Sequence, residues 1–185
     1  MIRPGSTKAT NNTDKYLQLK IKLRVDALEN KEKNILDCFA GDSIIWSEVK
    51  KRINFDFKRF TIDADNRFKT DYTGNALTYL KTNNIENYDI IDLDSWGSPI
   101  KYLEYIFNTK FKGVVICTFC SPVSLNPDKI LAQISFGKIY ENTNKKSILA
   151  KNIGSMFEQY LVSKGIKEYK GLLYKKRIYC SFIIK

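Results

Sequence analysis

The sequence predicts an open α/β sheet, mostly parallel, with helices on both faces and an antiparallel strand near one edge. Three observations lead there. Short apolar runs alternate with helical patterns from residue 35 to 119, which is how strands of a parallel sheet covered on both faces read. The chain ends differently, in a long helical pattern followed by two strand-like runs around Lys175 and Lys176. The 185 residues, 43% of them hydrophobic, suffice for one core and exclude a disordered chain.

Taken in order, residues 1–12 hold Pro, Gly, Ser, Thr, Lys and Asn with little to bury, and are expected to form a flexible basic arm before a single domain over 13–185. From a cap at Thr13 or Asp14, Leu17, Ile21, Val25 and Leu28 recur every three or four residues, while Lys15, Lys20, Lys22 and Arg24 fill the other faces. This predicts an amphipathic helix. Strands are expected at Ile35 to Phe39, Arg59 to Asp63, Tyr88 to Asp94 and Gly113 to Phe119. Between them lie helices through Ile44 to Val49, Ala76 to Leu80 and Tyr102 to Ile106. A helix over Lys146 to Lys164, closed by Gly165, precedes strands at Glu168 to Tyr174 and Arg177 to Ile184.

Composition removes whole classes of function. With no His, neither His-assisted nucleophiles nor His-ligated metal sites are possible. The net charge of +11 points to a polyanion partner, although Lys, Ile and Asn are all abundant, a usage that spreads charge without building a site. Cys117 and Cys120 fall in an apolar run, so buried reduced thiols are expected. No apolar run is long enough to span a membrane, and Met1 to Gly5 lacks a secretory core, so a cytoplasmic protein is expected.

Ligands of an open parallel sheet bind at the carboxyl ends of its strands, where strand order reverses. The first strand ends in Asp37-Cys38-Phe39-Ala40-Gly41-Asp42-Ser43 and the second in Asp63-Ala64-Asp65. A Gly admits a ligand close to the backbone, and an acid on the next strand can accept from ribose hydroxyls, so the pair favours a nucleoside. Neither G-x-G-x-x-G nor G-x-x-x-x-G-K-[ST] is present.

An Asp-x-Phe-x-Gly loop resembles the first motif of the class I S-adenosylmethionine-dependent methyltransferases, over about Ile35 to Phe119 and into the terminal strand pair. The resemblance implies a Rossmann-like fold with a seven-stranded sheet, antiparallel at the seventh strand, and S-adenosyl-L-methionine as cofactor. It places Asp37, Phe39 and Gly41 around the methionine part, Asp63 on the ribose and Asn75 beside the adenine. Ser43 stands where the family has its second Gly, an exchange expected either to narrow the pocket or to mark a degenerate cofactor site, and Asn75 where it often has Asp.

Asp92-Leu93-Asp94-Ser95-Trp96-Gly97-Ser98-Pro99 resembles the Asp-Leu-Asp-Pro-Phe-Gly-Ser-Pro turn of the tRNA guanine dimethyltransferases, with Ser95 for Pro and Trp96 for Phe. The resemblance implies methyl transfer to an exocyclic amino group, with RNA guanine favoured and DNA adenine the alternative acceptor. Such an amine is a weak nucleophile, so Asp94 is expected to accept one N–H, and Trp96 to stack on the base. Asp92, on the same strand face, is read as holding backbone or the cofactor's amino group. Ser98 and Pro99 fall on the substrate side, and Arg3 and Lys8 on phosphates. The plainer reading makes Asp94 a cap of the helix that begins near Ser98 and Trp96 a core residue. Two other functions fit the chain. One is a non-catalytic methyltransferase-like binding protein, suggested by Ser43. The other is a metal-dependent nuclease gathering Mg²⁺ on Asp89, Asp92 and Asp94, against which strand alternation turns Asp89 to the opposite face.

Overall fold

Strands that carry apolar residues on both sides need cover on both sides, and the five helices among the described residues provide it. The computed structural model describes residues 14–95, 97–120, 145–174 and 177–185. Its elements are α1 (Asp14–Leu28), β1 (Asn34–Asp37), α2 (Ile44–Lys50), β2 (Lys58–Asp63), β3 (Tyr72–Thr73), α3 (Ala76–Thr82), β4 (Ile90–Leu93), α4 (Ile100–Phe107), β5 (Gly113–Cys120), α5 (Lys145–Ser163), β6 (Tyr169–Tyr174) and β7 (Arg177–Ile184). The strands form one seven-stranded sheet in the order β3-β2-β1-β4-β5-β7-β6. β1 to β5 pair in parallel, and β7 runs antiparallel to both β5 and β6.

Strand order reverses between β1 and β4, the point at which loops leaving the sheet in opposite directions open a crevice. Register aligns the chemistry there. Asp37 lies beside Thr61 on one side and Asp92 on the other, and Asp92 lies beside Ile116. The aligned residues share a face because side chains alternate along each strand.

The two faces bury different material. α3, α4 and α5 cover one face, where Leu36, Ile62, Ile91, Leu93, Val115 and Phe119 join a large apolar core. α1 and α2 cover the other, over a smaller cluster that includes Ile21, Leu28, Ile35, Trp46, Ile90 and Ile116. Cys117 and Cys180 face each other across β5 and β7 with their sulfurs 3.3 Å apart, and both are free and buried.

Most expected elements are present to within a few residues. α5 closes at Gly165, whose φ of +81° suits a residue without Cβ, and the Ile166 N–H reaches back to the Leu161 carbonyl at 3.1 Å. The expected sequence of elements lacked β3. Tyr72–Thr73 pairs with Ile62 and Asp63, and the Gly74 N–H binds the Asp63 carbonyl at 2.8 Å. A two-residue strand shows no periodicity, and no helix intervenes between β2 and β3 to announce it. Among the described residues, no helix is long and apolar enough to cross a membrane.

Candidate functional site

The loop between β1 and α2 is pinned from β2. The Ala40 N–H binds the Ile62 carbonyl at 3.0 Å, and the Gly41 N–H binds Asp63 Oδ2 at 2.9 Å. Asp63 Oδ1 accepts the Asp65 N–H at 2.8 Å, so one carboxylate fixes both loops of the crevice edge. Gly41 has φ +53° and open space where a side chain would begin. Ser43, at φ +60°, holds the left-handed conformation that glycine adopts without strain and that costs an L-residue about 1 kcal/mol. Its hydroxyl accepts from Arg59 Nη2 at 3.0 Å, which fixes the start of α2.

Asp37, Gly41, Ser43 and Asp63 are thus brought together, while Phe39 and Asn75 also make contacts within the fold. Phe39 sets its ring edge-on against Tyr102, with centroids 5.2 Å apart. Asn75 caps α3, its side-chain oxygen accepting from the Leu77 and Thr78 N–H groups at 2.9 and 3.2 Å. Beyond β4, Ser98 is half-buried, with its hydroxyl accepting from the Ile100 N–H at 3.4 Å, and buried Pro99 precedes α4. Arg3, Lys8 and Trp96 lie outside the described residues.

On the α1 and α2 face, three carboxyls meet three cations. Arg24 is 2% exposed and grips Asp92 with two bonds, Nε to Oδ2 at 2.8 Å and Nη2 to Oδ1 at 2.9 Å. Trp46 Nε1 adds a third donor to Asp92 Oδ2 at 2.8 Å. Lys20 Nζ sits 2.7 Å from Asp94 Oδ2, Thr118 donates to Asp94 Oδ1 at 2.6 Å, and Arg24 Nη2 reaches Asp94 at 3.4 Å. Arg59 Nη1 lies 3.6 Å from Asp37 Oδ2, beyond hydrogen-bond distance, and is a buried N–H group without an acceptor among the described residues.

These surroundings set the charges. Burial and the neighbouring Asp92 charge push the Asp37 carboxyl up to about 8. Burial also pushes Asp92 up, against the pull of Arg24. The proton this pair holds belongs on Asp37, because Asp92 accepts three bonds from Arg24 and Trp46 that require its oxygens to be acceptors. Burial pushes Asp94 up as well, yet Lys20, Arg24 and the Lys20 and Thr118 hydrogen bonds outweigh it and hold the carboxyl below the ordinary carboxylate range.

Two expectations are corrected here. Lys20 and Arg24, read as part of the solvent side of α1, face inward with side chains 13% and 2% exposed. Asp94, in the plainer reading a cap of α4, bonds instead to Lys20, Thr118 and Arg24, and the first N–H of α4 goes to the Ser98 hydroxyl. The sequence signal for this network was the set Asp37, Asp92 and Asp94 on one strand face of a chain without His, since buried carboxylates require counter-charges from a helix above them. Asp89 stands apart, its carboxylate accepting the Asn34 N–H at 2.7 Å, and no acid or Cys cluster with metal-binding geometry occurs among the described residues.

No protein-family model and no curated protein matches the chain. Solved structures do. The O-methyltransferase from Bacillus cereus, in complex with SAH, aligns over 97% of this chain and 84% of its own at 14% identity, with a TM-score of 0.54. The O-methyltransferase TomG from Streptomyces achromogenes, in complex with SAM, aligns over 91% of this chain and 80% of its own at 11% identity and TM-score 0.54. The CurJ carbon methyltransferase aligns over 90% of this chain at 12% identity and TM-score 0.55, a match that spans 53% of that longer protein. The chain has the Rossmann-like methyltransferase fold, with the seven-stranded mixed sheet and helices on both faces that its sequence predicts.

Proposed function

We propose that this chain is an S-adenosylmethionine-dependent methyltransferase acting on an exocyclic amino group of a nucleic-acid base, with guanine in RNA as the favoured acceptor and adenine in DNA as the alternative. The observation that carries this reading is Asp94. It is an ionised carboxylate at the end of β4, next to the β1 loop at the switch point of a methyltransferase fold.

The residues at the crevice fit a nucleoside with an amino-acid tail. Asp63 is partly exposed and accepts one backbone N–H on each oxygen, which leaves lone pairs for the two ribose hydroxyls. Gly41 keeps the loop open. Arg59 offers an N–H that has no acceptor among the described residues, beside Asp37 and suited to a carboxylate. Asn75 meets the adenine through its amide N–H groups, because its oxygen is occupied by the α3 cap. When bound, S-adenosylmethionine supplies an electrophilic methyl on a sulfonium and calls for no metal or phosphate cradle.

The chain's own groups then prepare the acceptor. An exocyclic amine shares its lone pair with the ring, so it attacks poorly unless an acceptor takes one N–H and turns the nitrogen. Asp94 does this as a carboxylate whose charge also stabilises the ammonium that forms. Its low proton affinity makes it an orienting group rather than the final proton sink, and the proton leaves to water after transfer. Trp96 is assigned to stacking on the base, Ser98 and Pro99 to the wall beside it, and Arg3 and Lys8 to phosphates.

The test combines nucleoside mass spectrometry of RNA and DNA incubated with labelled cofactor and calorimetry with S-adenosylhomocysteine. Asp94→Ala is expected to lose roughly 100-fold or more in methyl transfer while retaining cofactor binding. Full activity in that variant removes Asp94 from the reaction, and the absence of cofactor heat in the wild type turns the assignment to a non-catalytic binding protein.

A further inference from the structure

If Asp94 orients the acceptor amine, it must be both charged and fixed, and neither follows from its place on β4. Asp92 projects from the same strand face two residues earlier, and Asp37 lies in register with Asp92 on β1. Two neighbouring acids and a buried location favour a neutral carboxyl. A neutral Asp94 would donate a hydrogen bond through one oxygen and present a weak acceptor on the other.

The structure supplies the opposing groups from three elements. α1 contributes Lys20 at 2.7 Å and, at longer range, Arg24 at 3.4 Å, while β5 contributes the Thr118 hydroxyl at 2.6 Å. On β7, the Tyr179 ring lies under the Lys20 ammonium, 5.6 Å from its centroid, so the cation is steadied from below as it reaches across. Among the described residues, the further titratable neighbour is Cys117 on β5, whose thiol is held protonated by its bond to Cys180 and by burial, and which adds no charge. Arg24 is already committed to Asp92 by two bonds and cannot serve both acids equally. Lys20, whose ion pair among the described residues is with Asp94, is therefore the cation most directly committed to that carboxylate.

We infer that Lys20 is a positioning residue: set on Oδ2 against the Thr118 hydroxyl on Oδ1, it holds Asp94 as a fixed carboxylate with one acceptor position left for the incoming amine. The count supports this directly. A carboxylate accepts at about four positions, and Lys20, Thr118 and Arg24 occupy one each. The inference rests on the base-methylation reading for its purpose, though not for its geometry. It gives the N-terminal helix a part in the site that the β1 loop and the β4 turn do not reveal.

The experiment uses the full chain and the variants Lys20→Met and Lys20→Arg. The carboxyl carbon of Asp94 is titrated by NMR, S-adenosylhomocysteine binding is measured by calorimetry, and kcat/KM for methyl transfer is followed against pH. Lys20→Met is expected to move the Asp94 midpoint upward and to depress kcat/KM in mild acid by roughly tenfold relative to alkaline pH, with S-adenosylhomocysteine affinity retained. Lys20→Arg is expected to restore both the midpoint and the profile. A merely structural lysine would lower stability without moving either. An unmoved Asp94 midpoint in Lys20→Met overturns the inference. If the wild type methylates no nucleoside, the base-methylation reading fails on its own, and the NMR titration still decides whether Lys20 holds Asp94.

Discussion

The two faces of β4 are built on opposite principles. Ile91 and Leu93 point into the apolar core beneath α3, α4 and α5, whereas Asp92 and Asp94 point into a cluster of charges beneath α1 and α2. Burial stabilises the first face, at about 25 cal/mol per Å² of apolar surface, and tolerates many substitutions of similar volume. The second gains little net stability from its ion pairs, because desolvating the charges offsets most of their attraction, yet losing one partner is costly. The difference teaches what each face can supply: one holds the sheet together through apolar burial, and the other holds carboxylates at the crevice edge between fixed cations.

The largest break in this contrast should come from Arg24→Met. It leaves the Asp92 carboxylate buried without its two guanidinium bonds, and a loss of about 3–5 kcal/mol is expected at neutral pH. Denaturant unfolding measures it, and the loss should shrink in acid as Asp92 takes up a proton. Leu93→Ala tests the apolar face one residue away. It removes a fully buried side chain, and roughly 3 kcal/mol is expected from lost transfer energy and the remaining cavity, with no dependence on pH. A pH-dependent loss in Leu93→Ala, or a pH-independent one in Arg24→Met, would erase the distinction between the faces.

A more gradual effect sharpens it. Asp37, pushed up to about 8, is protonated in the fold and ionised in the unfolded chain between about pH 4 and that value. The folded state binds the extra proton in that window, so this group's contribution is full below it and is lost as pH rises through it. The slope is at most about 1.4 kcal/mol per pH unit. Asp37→Asn should flatten that decline, and denaturation midpoints collected across the window in both proteins would reveal it.

Much of the fold was legible because its signals are local. Apolar runs such as Val114-Val115-Ile116 and punctuation such as Gly165 need no partner to be read, and the antiparallel end of the sheet follows from two runs joined by Lys175-Lys176. The crevice was legible in part, since Asp37, Gly41 and Asp63 lie at strand ends where chain direction alone places them. The charge network was not. Arg24 and Asp92 are 68 positions apart, and the periodicity of α1 marks where apolar residues lie without distinguishing a solvated cation from one aimed at a buried acid. Asn75 was ambiguous for a related reason: an amide at a strand-to-helix junction suits both an adenine and a helix cap, and the cap takes its oxygen.

The helix that supplies Lys20 and Arg24 precedes β4 in the chain. During synthesis α1 leaves the ribosome well before β4, so Arg24 waits for Asp92 until most of the sheet's parallel strands have been translated. Burying a guanidinium ahead of its anion is costly, so α1 is expected to dock only once the carboxylates are in place. Its docking onto β4 would thus be a late step of assembly, after which the N-terminal third of the chain is locked to the middle one.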